Sequence, residues 1–109
     1  MTEKEEEECI KILHSKPSWK MLKYLFQNGT ARYKDFTLFA STYTLNKRLK
    51  EFLKYNLIQH RFVKADTRKE WYELTDKGRE IFLLLRKTIA IMEEKEEDEI
   101  TGKNVISEK

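Results

Sequence analysis

The sequence predicts one small, mainly α domain with a single two-stranded hairpin, and three observations carry that prediction. Apolar residues recur at helical spacing near residues 9–13, 21–26, 45–53 and 81–92. Strand-type alternation over 57–63 and 70–74 brackets the polar run "KADTRK". With three Gly and one Pro in 109 residues, and 39% hydrophobic against 38% charged residues, the chain favours long helices over a turn-rich sandwich or a disordered polymer. That length allows one hydrophobic core.

The first helix is expected over roughly 3–15, capped by Thr2, with glutamates in the first turn and Cys9, Ile12 and Leu13 on a late apolar stripe. Pro17 ends it or opens the next. "PSWKMLKYLFQNG" reads as a second helix with Ser18 as cap, Met21, Leu22, Leu25 and Phe26 facing inward, and Asn28-Gly29 as the stop. Tyr33, Phe36 and Phe39 space a two-turn helix. Ser41 or Thr42 caps "YTLNKRLKEFLKYN", which sets Leu45, Leu49, Phe52 and Leu53 against Lys47, Lys50 and Lys54. Asn56 suits a left-handed helix end, after which the hairpin bends at Asp66 and Thr67, with Trp71 and Leu74 expected in the core. Thr75 caps the last helix, whose stripe is Ile81, Phe82, Leu85, Ile89 and Met92, widened by Leu83, Leu84 and Ile91. The domain is expected to span 1–99, with 100–109 a flexible tail.

Charge is partitioned. Residues 1–8 hold five Glu and one Lys, residues 9–92 hold 18 Lys or Arg against seven acids, and residues 93–109 hold seven acids against three Lys. A cationic centre between acidic ends suggests a polyanionic partner, although a solvated Lys- and Glu-rich surface has the same composition. Lys and Glu make 31 residues while Gln appears twice, a bias that fits a hot environment. No apolar run reaches the roughly 20 residues of a membrane span and the start is acidic, so a cytoplasmic protein is expected.

Helix, helix, short helix, helix, hairpin and long helix is an order that resembles the winged-helix transcriptional regulators over roughly residues 17–90. It is most similar to the HxlR type, with the MarR and PadR types and the small archaeal Lrp-like winged-helix regulators as neighbours. "SWKMLKYLFQNGTARYKDF", "LNKRLKEFLKYNLIQHR" and "WYELTDKG" carry the resemblance. Asn56 stands where the family usually has Gly, and Cys9 lacks the family's following proline. The resemblance implies an α+β winged helix-turn-helix that binds double-stranded DNA. Its recognition helix, about 42–55, would enter the major groove, and its wing, 64–69, would lie on the backbone or minor groove. Thr42, Tyr43, Thr44, Asn46 and Lys47 would face bases. Arg48, Lys50, Arg32 and Lys34 would meet phosphate, joined by Lys64, Arg68 and Lys69 from the wing. Two further roles remain open for such a module, namely protein binding within a larger assembly and non-specific, chromatin-like DNA binding.

The first and last helices carry more apolar surface than one small domain covers, which points to a homodimer through Cys9, Ile12, Leu13, Phe82, Leu85, Ile89 and Met92. Cys9 is then a small buried hydrophobe or half of an intersubunit disulfide. Two histidines and one cysteine lack zinc-ligand spacing, and no phosphate loop or nucleophile elbow is present. No enzyme, metal or cofactor is expected, and the sequence is silent on a small-molecule effector. Trp19 and Tyr72 read as packing aromatics.

Overall fold

Four of the helices start where a Ser or Thr side chain takes up a backbone N–H group that the first turn leaves unpaired. The computed structural model describes residues 1–64, 67 and 69–94. Within these, α1 (Glu3–Leu13), α2 (Lys16–Asn28), α3 (Tyr33–Phe36) and α4 (Thr42–Lys54) precede the antiparallel strands β1 (Ile58–Val63) and β2 (Lys69–Leu74), and α5 (Asp76–Met92) follows. Asp66 of the expected bend, Arg68 and the tail at 100–109 lie outside the described residues.

The chain forms two compact units, Met1–Arg79 and Glu80–Lys109. In the first, Thr2 and Glu5 cap α1 reciprocally, at 3.1 and 2.8 Å. The cap of α2 is Ser15 rather than Ser18. Pro17 lacks an N–H and is tolerated in a first helical turn, so α2 starts three residues earlier than "PSWK" suggests. Ser18 is instead buried and donates its hydroxyl to the Ile12 carbonyl, which ties the end of α1 to the start of α2. Gly29 closes α2 at φ 84°, its N–H bonded to Leu25 O. The short helix stops at Phe36, four residues long, because Thr37 turns back onto Lys34 O through both its N–H and its hydroxyl. Phe39 still packs inward, its ring 6.1 Å from Tyr24 and 6.3 Å from Phe36.

Met21, Leu22 and Leu25 of α2, Phe36 of α3, Leu45, Leu49 and Phe52 of α4, and Leu57, Ile58 and Leu74 form the core, all buried. Leu53, expected beside them, points outward. Asn56 does adopt the left-handed conformation, φ 61°, and turns α4 into β1. The register pairs Ile58 with Leu74 and Arg61 with Trp71. Because successive side chains alternate faces, Leu74 and Tyr72 reach the core side while Trp71 falls on the other face, only half-buried. Ala31 exchanges two backbone hydrogen bonds with Tyr72, at 3.0 and 2.7 Å, a minimal third strand that anchors the wing.

In the second unit, Phe82 and Ala90 are buried, whereas Leu84, Ile91 and Met92 of α5 are exposed. No helix among the described residues is long and apolar enough to cross a membrane.

Candidate nucleic-acid interface

Residues three and four apart share a helix face, so Thr42, Tyr43, Asn46, Lys47 and Lys50 form one surface of α4 opposite Leu45, Leu49 and Phe52. All five are exposed, Tyr43 to 76%. Ser41 orders the leading turn, since its hydroxyl accepts from Thr44 N at 3.3 Å and donates to Thr44 Oγ1 at 3.2 Å. Thr44 is thereby turned half inward. Arg48 also leaves this face: its Nε donates to Ser15 Oγ at 3.1 Å and its Nη1 pairs with Glu51 at 2.6 Å, with only 12% of the side chain exposed.

Arg32 and Lys34 are exposed at the entry to α3, where Arg32 N donates to Asp35 Oδ2 at 2.8 Å. Leu38, in the turn ahead of α4, is 91% exposed, a feature no periodicity flagged. On the wing, Lys64 and Lys69 are exposed and Lys69 pairs with Val63 in the register; Arg68 lies outside the described residues.

Two side-chain networks that sequence reasoning missed brace the wing. On one face, Glu73 accepts from Trp71 Nε1 at 2.7 Å, Arg61 Nε at 2.9 Å and Gln59 Nε2 at 3.3 Å. The Trp71 bond, more than Arg61 and Gln59, holds the Glu73 carboxyl below the ordinary carboxylate range against the opposing effect of partial burial. Arg61 is therefore engaged within the wing. On the other face, His60 stacks on Tyr72 with ring centroids 4.8 Å apart, and its Nε2 lies 2.9 Å from Glu70. Tyr72 also packs 6.2 Å from Phe36, and burial raises its hydroxyl pKa. The cross-strand partners were legible only once the register was known.

Of the residues expected at a dimer interface, Ile12 and Phe82 are buried within the chain, Cys9, Leu13 and Leu85 are half-buried, and Ile89 and Met92 are exposed. Cys9 is a free thiol. Among the described residues no group of His, Cys, Asp and Glu is arranged to hold a metal ion.

Comparison with known proteins places this architecture. Residues 12–100 match the model of the HxlR-like helix-turn-helix. No curated protein matches the sequence. Among solved structures, ytfH from Salmonella typhimurium superposes with a TM-score of 0.67 at 19% identity, covering 81% of this chain and 80% of that one. The diamide-treated form of YodB from B. subtilis gives 0.68 at 22% identity, covering 86% and 94%. The reduced form of the same transcriptional regulator gives 0.65 at 22%, covering 83% and 90%. These structures share the fold, and the match over residues 12–100 extends from the end of α1 through the helix-turn-helix and wing to beyond α5. The chain belongs to the HxlR-like helix-turn-helix family of DNA-binding transcriptional regulators.

Proposed function

We propose that the chain is a homodimeric, sequence-specific regulator that reads double-stranded DNA with α4 in the major groove and its wing on the backbone or minor groove. The observation that carries this reading is the single exposed face of α4, where Thr42, Tyr43, Asn46, Lys47 and Lys50 combine base-reading and phosphate-binding chemistry. Asn46 offers the donor and acceptor that match adenine, Lys47 suits guanine or phosphate, and Tyr43 and the Thr42 methyl suit a thymine methyl. Arg32, Lys34, Lys50, Lys64 and Lys69 supply phosphate contacts that fix register. Arg48 is excluded from this set, because its guanidinium is spent on Ser15 and Glu51.

The dimer is supported by the apolar side chains exposed on α5, from Leu84 to Met92. Two recognition helices related by a two-fold axis would meet half-sites roughly 34 Å apart. Cys9 is a free, half-buried thiol within the chain, which supports packing over an intersubunit disulfide.

Selection of bound duplexes from a random pool tests the proposal. A recovered palindrome with half-sites about one turn apart is expected, and replacing Asn46 and Lys47 by Ala should reduce affinity for it far more than for random duplex. Uniform affinity for all duplexes would leave only a non-specific DNA binder, and equal losses on both targets would remove base reading from α4.

A further inference from the structure

Among the described residues, the helix richest in carboxylates lies beside the helix proposed to contact DNA. α1 carries glutamates at positions 3 and 5–8, and named contacts fix it against α4. Glu8 Oε1 accepts from the Tyr55 hydroxyl at 2.9 Å and lies 3.9 Å from Lys54 Nζ. Glu5, Glu7 and Glu8 line the same groove as Lys47 and Glu51, where the α1 cations Lys4 and Lys11 offset part of their charge. At the α1–α2 junction, Ser15 takes the guanidinium of Arg48. The Tyr55 hydroxyl is pushed up to about 12, first by its bond to Glu8, so it remains a donor through the ordinary pH range.

Lys54 is thus a cation of α4 that Glu8 already faces, and Lys47 borders the groove that Glu5, Glu7 and Glu8 line. Charges within about 10 Å still feel one another at 0.1 M salt, so a phosphate approaching either lysine meets the field of Glu5, Glu7 and Glu8 as well. Of the residues proposed to face bases, Lys47 borders this groove, whereas Thr42 and Asn46 do not line it and precede Tyr55 by 13 and 9 residues, roughly 14–20 Å along the helix.

We propose that α1 is a built-in competitor of DNA for Lys47 and Lys54, weakening non-specific binding more than specific binding. Non-specific affinity is almost wholly electrostatic, and it loses the most from a fixed anionic edge. Specific complexes retain base contacts made beyond that edge. This rests on the reading of α4 as the DNA-contacting helix.

Titration of the full-length protein with random-sequence duplex tests it, with folding of each variant checked by circular dichroism. The triple variant Glu5→Gln/Glu7→Gln/Glu8→Gln should bind about tenfold tighter than wild type near 50 mM salt, with most of the gain gone near 200 mM. Glu8→Gln alone should show a smaller gain, and it decides the matter if the triple variant fails to fold. Tyr55→Phe, which loosens one contact but keeps the charges, should give a much smaller gain than the triple variant. Neutralising Glu80, Glu93 and Glu94 controls for net charge. Equal affinity of wild type and α1 variants would overturn the proposal, as would an equal gain from the control or from Tyr55→Phe. Absence of duplex binding by every form would remove the DNA reading of α4 itself, and the proposal with it.

Discussion

Arg48 shows what a single residue can hide. It sits in a basic helix among lysines, and composition assigns it to phosphate like its neighbours. Its fork reaches instead to Ser15, 33 residues earlier, and to Glu51, with 12% and 19% of the Arg48 and Glu51 side chains exposed. Truncation would leave Glu51 partly buried without its cation, so Arg48→Ala should lower unfolding free energy by about 2 kcal/mol in urea titrations. Arg48→Lys should recover only part, because an ammonium cannot serve both partners with one planar fork. Lys50→Ala, on the exposed face, should change stability within about 0.5 kcal/mol. Similar small losses at both positions would return Arg48 to the pool of phosphate contacts. Sequence could not make this distinction, since the partner that draws Arg48 inward is remote in the chain. Asn56 was legible for the opposite reason: a residue at a helix end needs only its own backbone preference to be read.

At the scale of elements, the stretch "LTDKG" explains itself in the structure. Thr75 N donates to Leu57 O at 3.0 Å, its hydroxyl donates to Asn56 O at 2.6 Å, and the same oxygen accepts from Gly78 N at 3.0 Å. One threonine therefore caps α5 and ties the wing's exit to the junction between α4 and β1. Gly78 completes the lock by its lack of a side chain: a Cβ there would lie 2.0 Å from Leu57 O. Helix propensity alone would make Gly78→Ala stabilising by roughly 0.5–1 kcal/mol. The close approach should win, because backbone must move and the Thr75 bonds with it. We expect a loss of about 3 kcal/mol by chemical denaturation; a neutral or stabilised variant would show that α5 can shift at no cost. Caps, stops and strand alternation are local, which is why most elements could be read from sequence. The Ala31–Tyr72 bridge, the turn of Trp71 to the outer face and the Glu73 network depend on pairing across the chain, and none of those partners is marked by spacing.

For the whole molecule, the proposed assembly turns on α5 meeting a second copy. Leu84 is 56%, Ile91 66% and Met92 79% exposed on one helix of the second unit, a concentration of apolar surface that a lone domain seldom leaves in water. The apolar stripe of this helix was plain in the sequence, but a stripe does not say which of its members the chain itself covers; Phe82 turned out to be one, at 1% exposure. If a second copy covers the rest, folding and association are coupled, and stability depends on protein concentration. The urea midpoint of the wild type should rise between about 1 and 100 µM, by an amount set by mass action. Leu84→Glu/Ile91→Glu should sediment at the monomer mass, with a midpoint that no longer moves with concentration. The same variant should bind a palindrome no more tightly than an isolated half-site, because α4 is untouched but the two copies are no longer joined. A wild type that sediments as a monomer at the highest of these concentrations would rule out the dimer, and a variant that stays dimeric would move the interface off α5.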